Sequence, residues 1–168
     1  MNDTRLFAFE SDFVASLRCV PMAVRFKLDL CGVKLSLRQW SRFTLDERQA
    51  LRLSPCDRDP EIAAYRDRLT RLILERTGER PTRLSLTRAE ISPPRDRTPK
   101  AVAAFAASVG LGPPHDADWS RLSSLQRFAL MKLTRDNHDN INFAPAMREF
   151  GLAQRLIDAR HECEPAGR

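Results

Sequence analysis

Four cysteines and a polar tract around His138 are the residues with which this chain could do chemistry. Cys19, Cys31, Cys56 and Cys163 are scattered, with no CxxC pair, whereas structural zinc sites announce themselves by paired ligands. The first three with His138 match no zinc signature, and a buried free cysteine behaves as a small apolar residue. Cys56, in Pro55-Cys56-Asp57, falls in a loop and is the thiol expected to react first. The tract from Asp136 to Asn142 alternates oxygen ligands as a calcium loop does, but lacks that loop's central glycine and its spaced terminal glutamate. Turn formation and capping by Asn and Asp account for it, which leaves His138 as a loop or interface residue. No Ser-His-Asp order, Gly-rich phosphate loop or HExxH element is present. The expectation is a protein that is not an enzyme and uses no metal or cofactor, with a thiol- or metal-binding protein as a minor alternative.

The totals narrow the class further. The 168 residues, 42% hydrophobic and 30% charged, suit one globular domain with a core that needs no covalent staples. No apolar run reaches membrane-spanning length, and Met1-Asn2-Asp3-Thr4 is not the basic start of a signal peptide. With sparse cysteines, that points to a cytoplasmic protein with no membrane partner. A net charge of +6 raises the alternative of a basic helical nucleic-acid-binding regulator. Much of the excess falls between Arg76 and Lys100, where Arg76, Arg80, Arg83, Arg88, Arg95, Arg97 and Lys100 face only Glu79, Glu90 and Asp96. A solvated basic connector explains it. Base stacking would need aromatic neighbours set in a basic groove, and the sequence shows no such array around Trp40 and Trp119; they read as core staples.

The elements that position these residues come from a repeat. The stretch from Cys19 to Leu51 has a second version from Thr98 to Leu130. Laying Pro21 on Pro99 puts Gly32 on Gly110. One inserted residue later, Trp40-Ser41-Arg42 falls on Trp119-Ser120-Arg121, and Arg48, Ala50 and Leu51 fall on Arg127, Ala129 and Leu130. A period of this kind points to a duplicated structural unit. Proline is favoured at a helix start and glycine just past its end, so helices are expected over Pro21–Cys31 and Pro99–Val109, the second capped by Thr98. Thr44 with Glu47, and Ser123 with Gln126, match the capping box of a following helix. A helix-turn-helix joins its helices by three or four residues; Gly32 to Thr44 is longer, and Asp46 and Glu47 would repel phosphates.

One segment is in conflict. Val24, Phe26, Leu28 and Leu30 alternate with polar residues, and Val33, Leu35 and Leu37 continue the alternation, as in a β-hairpin. The matching Ala101 to Val109 is alanine-rich, which favours helix, so the first copy is expected to be helical too. The fold class is therefore all-α, built from two pseudo-repeated helix–connector–helix units. The first spans residues 1–78 and includes a long helix opened by Asp59-Pro60 and closed by Gly78. A Pro/Arg-rich connector covers 79–98, a second helical unit 99–161, and a frayed tail 162–168. Within these, short helices are expected from Ser11 through Leu17, near Phe143 to Phe150 with Gly151 as stop, and from Leu152 to His161.

Several segments resemble the bacterial family of conserved nitrate-reductase-associated proteins. They are Phe7-Ala8-Phe9-Glu10 with Asp12-Phe13, Ser16-Leu17-Arg18-Cys19-Val20-Pro21-Met22, Val24 to Asp29, Gly32-Val33-Lys34-Leu35, Trp40 and Pro55-Cys56. Near the end come Leu125 to Leu130, Lys132-Leu133, His138, Asn140, Asn142-Phe143 and Glu149-Phe150. The likeness spans about residues 6 to 152 and is most specific from Cys19 to Asp29. The resemblance implies an accessory protein, a maturation chaperone or subunit, that a molybdenum-containing assimilatory nitrate reductase needs for activity. The reductase is then the partner, and Arg25, Lys27, Trp40, Arg48, Cys56 and His138 are the candidate contacts. Core packing and surface salt bridges are the alternative roles for each.

Overall fold

The segment that alternates Val24, Phe26, Leu28 and Leu30 is a helix. In the computed structural model, which describes residues 3–11, 16–135 and 138–153, α1 spans Met22–Cys31. Its buried side carries Val24, Lys27, Leu28 and Cys31, the i, i+3, i+4, i+7 positions of one helix face. Lys27 is only 2% exposed. Counting that lysine as polar hides the helical period and leaves the alternation visible. Pro21 caps the start through its carbonyl, which accepts from the Val24 and Arg25 amides. Gly32 closes the helix at φ +68°, a left-handed conformation that a Cβ makes costly. The rival hairpin over Met22 to Leu37 does not form.

The described chain is mostly helical and divides into two compact units, Met1–Ile91 and Ser92–Arg168. In the first, a 3-10 turn at Ala8–Glu10 and α1 precede a short strand, β1 (Val33–Lys34). Then follow α2 (Leu37–Arg42), α3 (Leu45–Leu53) and the long α4 (Asp59–Thr77). The capping box of Thr44 with Glu47 opens α3, and a further one, Ser36 with Gln39, opens α2. Pro60 lies in the first turn of α4 and Gly78, at φ +69°, ends it. Helix α4 packs against α1 and α2, burying Tyr65, Leu69, Leu72 and Ile73. The stretch 79–98, expected as a connector, is divided. Its β2 (Thr82–Arg83) pairs antiparallel with β1, Val33 opposite Arg83, and α5 (Arg88–Ile91) follows within the first unit.

The second unit contains α6 (Lys100–Ser108), α7 (Asp116–Arg121), α8 (Ser124–Leu133), a 3-10 turn at His138–Asn142 and α9 (Phe143–Glu149). Ser123 and Gln126 form the expected box at the start of α8. Thr98 does not cap α6: its hydroxyl donates to the Pro114 carbonyl and its amide to Asp116. Trp119, Leu125, Phe128, Leu133, Phe143 and Met147 are fully buried here, and the Phe105 and Phe143 rings meet edge to face at 4.8 Å. The helices expected over Ser11–Leu17 and Leu152–His161 fall largely, and the tail 162–168 wholly, outside the described residues. Among the described residues no helix is long and apolar enough to cross a membrane.

Candidate functional site

Trp40 and Arg48 are joined to one another and to the backbone that precedes α1. Trp40 is fully buried and its indole Nε1 donates to the Leu17 carbonyl at 2.8 Å. Arg48 donates from Nε to the Trp40 carbonyl at 3.1 Å, from Nη1 to Leu17 at 3.1 Å and from Nη2 to Ser41 at 2.9 Å. Two of those carbonyls end α2, where helical partners run out, and the guanidinium lies 5.7 Å from the Trp40 ring centre. Leu17 itself sits at φ +48°, an uncommon conformation for a residue with a side chain. Two donors on its carbonyl hold it there. Arg25, half-buried, donates from Nε to the Val20 carbonyl at 3.0 Å. Of the six expected contact residues, these three serve the fold around the entry to α1.

Lys27 and Cys56 meet on the other side of α1. The Lys27 ammonium donates to the Arg52 and Ser54 carbonyls, each at 2.6 Å, where α3 ends and a cation is favoured. It also lies 5.9 Å from the centre of the Tyr65 ring. The Cys56 sulfur rests 3.9 Å from the Lys27 carbonyl and is 1% exposed. The Cys31 sulfur rests 3.4 Å from the Leu28 carbonyl. Burial pulls the Lys27 pKa down to about 8 and pushes the thiols up, Cys31 to about 11 and Cys56 to about 12. Burial also raises Tyr65 well above a free phenol, and its hydroxyl has no hydrogen-bond partner among the described residues.

This cluster gathers groups that react elsewhere and keeps its two thiols unreactive. The thiolate is the nucleophile, and both thiols stay protonated at neutral pH. Cys56 is therefore not the reactive loop thiol that its sequence neighbours suggest. In the native protein at about pH 8, iodoacetamide should modify half-buried Cys19 well before Cys31 or Cys56, both of which should label only on unfolding. Residue-resolved mass spectrometry reads this directly, and early labelling of Cys56 would contradict the burial.

The same groups set a pH dependence. A folded pKa near 8 lies below the 10.5 of a free lysine, so between those values the unfolded chain binds more protons and stability rises with pH. The thiols act in the opposite sense: raised from 9.0, they hold protons that the unfolded chain has lost, and stability falls as pH climbs above that value. Between about pH 8 and pH 9 the lysine contribution dominates. Urea melts should show the wild type gaining stability relative to Lys27→Met over that interval, and a falling difference would contradict it.

Two ion pairs lie around the C-terminal end of α4. Arg38 of α2 pairs with Glu79, which also accepts from Gln39 at 2.7 Å, and Arg76 of α4 pairs with Glu47 of α3. The Arg76 guanidinium holds the Glu47 carboxyl below the usual carboxylate range. Beside these charged residues in sequence stand Leu37, Leu45 and Leu74, exposed by 56%, 59% and 52%. A leucine at the first position of α2 and of α3, ahead of each helix's buried residues, is the sequence signal that could have found them. Among the described residues no group of His, Cys, Asp or Glu could hold a metal ion, and the side chain of His138 lies outside the description.

No curated protein and no solved structure is significantly similar to this chain. A family-wide sequence model does match, over residues 6–150, and covers the Trp40–Arg48 arrangement, the Lys27–Cys56 cluster and the exposed leucines alike. The chain belongs to the family of conserved nitrate reductase-associated proteins.

Proposed function

We propose that this protein is a non-catalytic accessory or maturation protein of an assimilatory, molybdenum-dependent nitrate reductase, acting by binding the reductase polypeptide in the cytoplasm. Family membership is the observation that carries the reading. The chemistry of the buried cluster supports it, because burial holds both thiols protonated and the Lys27 ammonium is taken up by the Arg52 and Ser54 carbonyls. We assign the docking face to the exposed Leu37, Leu45 and Leu74, each within two residues in sequence of a partner in the Arg38–Glu79 or Arg76–Glu47 pair. Apolar anchors with a polar, charged rim have the anatomy of a protein interface. Of the six residues first considered as contacts, Arg25 and Arg48 keep partly exposed positions from which to reach a partner, whereas Lys27, Trp40 and Cys56 would contact it only if the unit opened.

The two units are read as products of a duplication. Trp119 repeats the Trp40 arrangement, its Nε1 donating to the Pro94 carbonyl at 2.8 Å, upstream of α6. Arg127, aligned with Arg48, donates to the Leu122 carbonyl just past the end of α7. Proline caps α1 and α6, and glycines at φ +68° and +75° follow them. These parallels support the pairing of residues 1–78 with 99–161 as related helical units.

Deleting the gene should leave the reductase polypeptide at its usual level while removing nitrate reductase activity, and restoring the gene should restore it. Full activity in the deletion strain would overturn the proposal.

A further inference from the structure

We propose that the cavity between the β1–β2 pair and α4 binds a phosphate dianion, free or as the monoester of a small molecule, with Arg66 and Arg83 as its charged ligands. The cavity measures about 310 Å³ and its lining includes Gly32, Arg66, Thr70, Thr82, Arg83 and Leu84. Among the described residues no carboxylate lines it, and the one other titratable side chain there, Cys31, stays a neutral thiol.

The donors are in excess and already directed. Arg66 donates from Nε to the Cys31 carbonyl at 2.7 Å, which fixes the guanidinium plane and leaves both terminal nitrogens for a ligand. Arg83, Thr70 and Thr82 make no side-chain hydrogen bond or ion pair among the described residues. The carbonyls at the end of α1, which would repel an anion, are covered: Cys31 by Arg66 and Gly32 by the Leu84 amide at 2.9 Å. Two guanidiniums facing no acid match a dianion in charge, and a phosphate monoester carries about −1.5 to −2 at neutral pH. Paired N–H groups of arginine also fit phosphate oxygens two at a time. The volume exceeds that of a bare oxyanion and reaches the lower end of small-ligand pockets. Val33, Pro81 and Leu84 supply apolar wall for an organic portion.

The test is an amide NMR titration of the whole protein at low ionic strength with inorganic phosphate, and in a second arm with phenyl phosphate. Sodium chloride at matched ionic strength is the control. Shifts centred on Gly32, Thr82, Arg83 and Leu84 are expected in both phosphate arms. Tighter binding of phenyl phosphate would identify a monoester as the ligand, and equal binding free phosphate. Arg83→Gln, an exposed position whose loss leaves the fold intact, should weaken binding by about 10-fold or more, the worth of a charge-assisted contact. Thr82→Val should weaken it a few-fold. The proposal is overturned if these amides do not shift, if chloride shifts them equally, or if Arg83→Gln titrates like the wild type.

Discussion

Trp40→Ala should destabilise the first unit by about 3–5 kcal/mol, the range for removing a fully buried large aromatic side chain. The ring is wholly enclosed, and Nε1 is one of the donors that hold Leu17 at φ +48°. Truncation therefore opens a cavity and removes one of the two donors that hold Leu17 in its uncommon conformation. Against a typical total stability of about 5–15 kcal/mol, that loss is a large share of the margin. Trp40→Phe separates the two contributions. It keeps most of the buried surface and loses only the indole donor, and Arg48 still donates to the Leu17 carbonyl. A cost of about 1–2 kcal/mol is expected. Urea denaturation of both variants measures the difference. A loss below about 1 kcal/mol for Trp40→Ala would mean that the tryptophan is not the staple described here.

The double variant Leu45→Glu with Leu74→Lys should abolish reductase binding without changing the fold. Both leucines are more than half exposed, so little core is lost. The new charges follow the helix dipoles, a carboxylate at the start of α3 and an ammonium near the end of α4, and the melting temperature should stay within a degree or two of the wild type. Anchor residues at the centre of an interface are worth about 2 kcal/mol or more each. The pair should weaken association by roughly a hundredfold or more, beyond detection in a pull-down. Retention of the reductase by this variant would place the docking face elsewhere.

Local signals in the sequence were reliable where the chemistry is local. The two capping boxes, the glycine stops at Gly32 and Gly78 and the enclosed tryptophans are visible as residue types at fixed spacings, and each is found where expected. What escaped depends on partners far along the chain. Lys27 disguised a helix face as an alternating strand, because its ammonium is buried against carbonyls from residues 52 and 54. The pairing of Val33 with Arg83 made structure out of a stretch whose composition reads as connector. Arg48 reads in the sequence as a candidate partner contact, and only the path of the chain brings Leu17, Trp40 and Ser41 to its guanidinium. The exposed leucines are ordinary residues in isolation, and only the Arg38–Glu79 and Arg76–Glu47 pairs bring charged neighbours of theirs in sequence to the end of α4.

Affinity purification of the tagged protein from cells growing on nitrate tests the central claim most directly. The account predicts that nitrate reductase polypeptide is recovered with the wild type and is absent from the Leu45→Glu, Leu74→Lys variant at equal yield of the bait. Recovery of no reductase with the wild type, under conditions gentle enough to preserve weak complexes, would contradict it.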